Sequence, residues 1–199
     1  MQKSGTRIFG AVGGRRATVF ELDNAGTIQV VHGFVDEDVD EDFCACVWAN
    51  EDLCVSGHRG IIKVLNVKTG GLKSALIGHG GPVHELKMHP TNDDLIFSCS
   101  KDESASLWSL SANRRIVIFA GDQGHRDSVL SIDVIEGWLL SGGMDNTIRV
   151  WKLDDKVVQD AIVACKNEGP KYRAIFVQFP QFVTRRVVRL FFFCSLLLK

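Results

Sequence analysis

Two stretches of this 199-residue chain repeat each other, and that repetition restricts the fold more than any other feature. The second copy runs from Gly124 to Trp151, GHRDSVLSIDVIEGWLLSGGMDNTIRVW, and the first from Gly78 to Trp108. Each opens on Gly-His, continues through two strand-like segments, turns at an Asp and closes on a Trp. Ser98, Asp102 and Trp108 stand four and six residues apart, as do Ser141, Asp145 and Trp151. An eroded copy precedes them as FCACVW, LCVSG and IIKVLN, with Leu65, Leu107 and Val150 in equivalent places 42 and 43 residues apart. A period of ~40–45 residues holding four short strands is that of a β-propeller blade. Alternation in Ser128–Val134 and Thr147–Trp151 supports half-buried antiparallel strands.

Composition narrows the function. Hydrophobic content of 45%, 24% charged residues and four prolines describe a globular chain. A net charge of −1 leaves no basic field for nucleic acid. The six cysteines (44, 46, 54, 99, 165 and 194) are scattered through strand-like runs, which reads as reduced, buried thiols of the cytosol or nucleus. Cys44-x-Cys46 has no partner pair, and His79, His84 and His89 recur at intervals of five, which suits neither a helix face nor a strand face. The sequence therefore calls for no metal and no cofactor. Ser, His and Asp together suggest a hydrolase, but the set recurs with the repeat and lacks a nucleophile elbow. It has no catalytic residues on this reading.

Residues 7–13, 17–22 and 27–31 read as the three outer strands of an opening blade whose inner strand should precede residue 1. Residues 36–42, DEDVDED, carry six acids in seven positions and are expected in solvent; the functional alternative is an acidic lip that attracts a basic peptide. In the eroded copy Gly60 is aligned with Asp102 and Asp145, Asn66 with the tryptophans and Ser56 with Ser98 and Ser141, leaving that blade to the packing of Ile61, Ile62, Val64 and Leu65. Asp155 to Lys166 reads as either an outer strand or a short helix, and FVQFPQF (176–182) as an edge strand or extended connector. The organisation is then a partial propeller over 1–164, a connector resembling the start of the next blade over 165–186, and a divergent apolar tail over 187–199. That tail is too short for a bilayer-spanning helix, which needs ~20 residues.

These residues resemble the WD-repeat Polycomb subunits related to extra sex combs, embryonic ectoderm development and the plant fertilization-independent endosperm protein. The matching pieces are the acidic loop leading into DFCACVW, RGIIKVLNV (59–67), IGHGGPVHELKMHP (77–90), IFAGDQGHRDSVLSID (118–133), GMDNTIRVW (143–151) and FVQFPQF (176–182). The resemblance implies an all-β WD40 β-propeller, here incomplete at about three and a half of seven blades, as in a truncated member. It implies structural tetrads of His79, Ser98, Asp102 and Trp108, and of His125, Ser141, Asp145 and Trp151. It implies a non-catalytic scaffold of Polycomb repressive complex 2, in the nucleus with the cytoplasm as alternative, supporting methylation of histone H3 lysine 27 and transcriptional repression. The implied partners are a SET-domain histone methyltransferase, other Polycomb subunits and the histone H3 tail, with no sequence-specific nucleic acid and no membrane. Family members read trimethyl-lysine with an aromatic cage; a cage tyrosine aligns with Cys44, and Asp36, Glu37 and Asp38 lie beside it as candidate peptide-binding residues. The competing expectations are a general WD-repeat adaptor and a truncated product without autonomous function. An open ring exposes edges and apolar flanks, so association or partial order is expected.

Overall fold

Alternating side chains, short turns and an almost complete lack of helical periodicity produce sheets. The computed structural model describes residues 7–185; the tail over 187–199 and Cys194 lie outside the described residues. Four sheets follow one another along the chain. The first holds β1 (Arg7–Gly13), β2 (Arg16–Leu22) and β3 (Ile28–Val35). The second holds β4 (Phe43–Ala49), β5 (Asp52–Gly57), β6 (Ile62–Asn66) and β7 (Gly71–Leu76). The third is built on β8 (Val83–Met88), β9 (Leu95–Ser100), β10 (Ala105–Ser109) and β11 (Arg114–Phe119), and the fourth on β12 (Val129–Ile135), β13 (Trp138–Gly143) and β14 (Ile148–Lys152).

Within each sheet the strands meander antiparallel. The hairpin β1–β2 turns at Gly14 (φ 55°), whose carbonyl accepts from the Phe43 N–H at 2.6 Å, so it lies at the end where β4 begins. β1 thus takes the second position of its blade, and no strand stands inside it among the described residues.

The interval between β14 and the chain's last described strand departs from the meander. Asp155 caps α1 (Lys156–Glu168) through its carboxylate and the Val157 N–H, and Val158, Ala161 and Cys165 at i, i+3 and i+7 bury one face. A short 3-10 turn follows at Gly169–Lys171. β15 (Ile175–Val177) then pairs parallel with β11 on the outer edge of the third sheet. β16 (Phe182–Thr184) pairs antiparallel with β14 and completes the fourth. The FVQFPQF segment is therefore edge strand at both ends and connector between them, and Asp155–Lys166 resolves as helix. The boundary drawn at 164/165 falls inside α1.

The core lies between sheets. Ala17 and Val19 of the first sheet meet Leu53, Val55 and Leu65 of the second. Ile62 and Val64 meet Ile96 and Trp108 of the third. Phe97, Leu107 and Phe119 meet Leu139, Trp151 and the buried face of α1. Each sheet presents one face backward and the other forward, which is the stacking rule of a propeller. Cys54, Cys99 and Cys165 are buried as expected, and burial pushes the Cys54 thiol up to about 12. Cys44 departs from the expectation: it sits in an irregularity of the β4–β5 register between Phe43 and Ala45 and is exposed.

Candidate functional site: the latches between loops and blades

The loop entering the third sheet carries His79, and that entering the fourth carries His125. His79 places Nδ1 2.8 Å from Asp102 Oδ2 and Nε2 2.6 Å from Ser98 Oγ, while Trp108 donates its indole N–H to the same hydroxyl at 2.7 Å. In the fourth sheet His125 Nδ1 lies 3.0 Å from Asp145 Oδ1, Nε2 lies 2.8 Å from Ser141 Oγ, and Trp151 donates to Ser141 at 2.9 Å. The structure brings together all eight residues singled out as two tetrads. Each carboxylate also accepts the backbone N–H after its histidine, Gly80 at 2.9 Å and Arg126 at 3.0 Å, so the loop is tied by side chain and main chain together.

Several participants escaped sequence reasoning. Ser104 and Thr147, two residues after each Asp, donate their hydroxyls to it at 2.6 and 2.7 Å, a pattern visible in the sequence as Asp-x-Ser/Thr. Arg149, where the third sheet has Ser106, reaches Asp145 Oδ2 at 2.8 Å and His125 Nδ1 at 2.8 Å, and donates from Nε to the Gln123 carbonyl. Burial lowers the His125 pKa, Asp145 opposes that shift, and the neighbouring Arg149 adds to it. Glu85 of β8 accepts from Ser131 Oγ and the Ile132 N–H, each at 2.8 Å, and so joins neighbouring inner strands.

The second sheet holds its loop differently, and here the register differs from the sequence alignment. Val55 pairs with Lys63 across the hairpin as Ser98 pairs with Ser106 and Ser141 with Arg149. Arg59, not Gly60, therefore occupies the place of Asp102 and Asp145. Leu65 occupies that of the tryptophans, and Val55 that of the serines. Backbone conformation agrees, because Gly60 (φ 72°) matches Glu103 (φ 67°) and Asn146 (φ 59°) as the left-handed residue of each turn. Gly60 is also required sterically: a Cβ there would lie 2.5 Å from the Gly81 carbonyl oxygen.

With Arg59 in the Asp position the charges are exchanged. Asp38 accepts from Arg59 Nε at 2.6 Å and Asp40 from its Nη2 at 3.1 Å, so the incoming loop supplies the carboxylates. Hydrogen bonding from Arg59, then from the Asp40 N–H, lowers the Asp38 pKa against a small opposing effect of burial. Lys63 binds Asp36, which is 4% exposed, and Glu41 accepts the Arg59 and Asp42 N–H groups. The acidic run expected in solvent is thus folded onto two cations, with Asp36 and Glu41 buried, because self-repulsion is relieved by partners inside the chain. Glu37 remains exposed and makes no ion pair among the described residues. Cys44 lies next to this loop and donates its thiol to the Val83 carbonyl at 3.1 Å. Of the four candidate peptide contacts, Asp36 is buried and Asp38 is ion-paired with Arg59, while Glu37 and Cys44 are exposed.

No group of three metal-ligating side chains forms among the described residues. His84 is half-buried, and His89 stacks on Phe97 at 6.0 Å between ring centres. The two tetrads are closed hydrogen-bonded latches that hold loops to sheets, while in the second-sheet loop Glu41 Oε2 is buried without a hydrogen-bond partner.

Comparison with known proteins agrees with this architecture. Residues 70–109 and 116–152 match the family described as WD domain, G-beta repeat. Polycomb group protein FIE2 of Zea mays is 36% identical over 184 residues, covering 87% of this chain and 48% of the relative. Polycomb protein esc of Drosophila virilis is 33% identical over 205 residues, covering 96% of this chain and 48% of the relative. Among solved structures, the Polycomb Repressive Complex 2 of Chaetomium thermophilum has a chain that superposes with a TM-score of 0.78 at 24% identity, over 94% of this chain and 43% of that one; this likeness bears on the fold. The chain thus belongs to the WD-repeat family that includes the Polycomb proteins esc and FIE, and it spans about half the length of those relatives.

Proposed function

We propose that this chain acts by binding, as a scaffold in a nuclear Polycomb histone methyltransferase assembly, with catalysis residing in a SET-domain partner. The observation that carries this reading is the similarity to esc and FIE proteins over 87–96% of the chain, a continuous match that two generic repeats would not give. The structure supports a binding role because the repeated polar groups are spent on latches: both Ser-His-Asp sets are closed by tryptophan N–H groups, leaving no activated nucleophile. Support for lysine 27 methylation and repression follows from that membership. The methyltransferase and other Polycomb subunits are the assigned partners. Retention of the purified chain by the N-terminal region of the SET-domain methyltransferase tests the assignment; a folded chain that is not retained overturns it in favour of a general adaptor.

Histone-tail contact is assigned no methyl-lysine selectivity in this chain. Recognition of a quaternary ammonium uses π faces, each worth ~0.5–2 kcal/mol, and Cys44 supplies none. The acids beside it are occupied by Arg59 and Lys63. The chain is therefore expected to bind trimethylated and unmethylated lysine 27 peptides equally, as fluorescence anisotropy would report. A clear preference for the trimethylated peptide would refute this.

A further inference from the structure

Arg149 stands where the third sheet has Ser106, and it changes what a proton does to the latch. Ser141 pairs with Arg149 across β13–β14 as Ser98 pairs with Ser106 across β9–β10. Arg149 Nη1 lies 2.8 Å from His125 Nδ1 and 2.8 Å from Asp145 Oδ2, and the same ring nitrogen lies 3.0 Å from Asp145 Oδ1. The side chains of His125, Asp145 and Arg149 are 1%, 10% and 7% exposed, so water screens their charges poorly. Around the ring, Ser141 of β13 and Thr147 of the following turn are neutral; Asp145 and Arg149 are the charged groups acting on it among the described residues. The loop's own charges are turned aside: Arg126 donates its side chain to the Asp122 carbonyl, and Asp127 accepts the Ser128 N–H. The third sheet meets this latch with Phe119, packed on Trp151, and on the far edge of β14 Val183 pairs with Arg149, so neither adds a charge.

We propose that Arg149 makes this latch releasable by acid: a proton taken up by the His125 ring sets two cations against one carboxylate, Arg149 withdraws, and the loop over residues 120–128 comes free. A neutral imidazole shares Asp145 with the guanidinium without conflict. An imidazolium does not, because arginine stays protonated and one carboxylate balances one cation. The Arg149 backbone is fixed within β14 between Ser141 and Val183, so the side chain and the loop must give way. That side chain also donates from Nε to the Gln123 carbonyl at 2.8 Å. The group that repels the charged ring is therefore the group that ties down the loop two residues earlier, and losing one contact loses both. The third-sheet latch has no such conflict. Its imidazole faces Asp102, Ser98 and Ser104, while Arg115 lies over the Trp108 ring, 5.4 Å from its centre. The same fold thus carries one latch that acid opens and one that it leaves closed. The device concerns how a loop is held and is independent of the assembly that the chain enters.

Hydrogen exchange of the full chain at pH 7.5 and 5.5, each rate divided by its intrinsic value, tests this. The reporters are the Gly124 and Arg126 N–H groups, bonded to the Gly121 carbonyl and to Asp145, with the Gly80 N–H on Asp102 as internal control. Opening that frees an imidazole of ordinary pKa, about 6.5, grows by up to about tenfold over that interval. Protection at Gly124 and Arg126 should fall by about that factor relative to Gly80. Arg149→Ser, which installs the third-sheet residue, should remove the difference, whereas Arg149→Lys retains the charge and should retain the response. Should Arg149→Ser not fold, NMR titration of the His125 ring in the parent decides alone: the ring should stay neutral at about pH 6, where an exposed histidine is mostly charged. A ring already charged there in the folded parent overturns the proposal. So does equal loss of protection in the two loops, or an acid response that survives Arg149→Ser or vanishes in Arg149→Lys.

Discussion

Asp102 and Asp145 show how a few residues fix a loop to a sheet. Burial pushes each carboxyl up, but the donors around it outweigh that effect. For Asp102 these are His79, Ser104 and the Gly80 N–H; for Asp145 they are Thr147, the Arg126 N–H, His125 and Arg149. Both carboxyls are held far below the usual carboxylate range. A depressed native pKa contributes stability that is complete above the unfolded value of about 3.9 and is lost as pH falls toward the native one. Asp102→Asn should cost ~1–3 kcal/mol at neutral pH, the penalty of a broken buried network, and should flatten the acid limb of a urea-stability profile. An unchanged acid limb would contradict the role. His125 has the same sign by a different route. Its lowered pKa keeps the imidazole neutral when folded, so its contribution is complete above about pH 6.5 and declines below. Urea midpoints at pH 7.5 and 5.5 should differ less in His125→Gln than in the parent, the remaining difference belonging to His84 and His89, which burial also lowers. The tetrads were legible because four polar residue types recur at fixed spacing. The latch of the second sheet was not: with Val55 and Leu65 in place of Ser and Trp, the alignment slid by one residue, and the turn at Gly60 was the signal that would have corrected it.

At the scale of elements, the segment after β14 is where sequence pattern stops determining structure. Apolar residues at 158, 161 and 165 satisfy a helix, yet Val157 and Val163 are 55% and 58% exposed and blur the period into that of a strand. Long-range pairing settled it. Tyr172 is buried and donates its hydroxyl to the Ile116 carbonyl at 2.9 Å, placing the chain so that β15 lies alongside β11. The partner of a three-residue parallel strand lies some sixty positions away and leaves no local trace. This strap closes the outer edge of the third sheet and links it to the fourth, a known means of blunting an exposed strand edge. Val177→Pro breaks the strap at a partly buried residue on the margin of the largest cluster. It should accelerate amide exchange across Val117–Ala120 while leaving β4–β7 unchanged, as hydrogen-exchange mass spectrometry would register. Equal acceleration in both sheets would mean that β15 supports the whole array and is no local strap.

For the whole molecule, stability should be graded along the chain. Repeat arrays gain most of their stability from contacts between neighbours, so each sheet is as stable as the interfaces it shares. The third sheet has both faces buried: β9–β11, α1 and Tyr172 enter the largest cluster, while Val83 and Leu86 of β8 join the cluster shared with the second sheet. The first sheet has three strands and one covered face. Opening should therefore begin in β1–β3 and reach β9 and β10 last, in cooperative steps that follow sheet boundaries. Amide protection followed along the chain by hydrogen-exchange mass spectrometry tests the order. Leu107→Ala, at the centre of the largest cluster, should cost ~2–5 kcal/mol and lower protection in the third and fourth sheets together. Val19→Ala should expose only the first. Uniform protection from β1 to β14 would mean that the four sheets open as one unit, and the graded description would have to be abandoned.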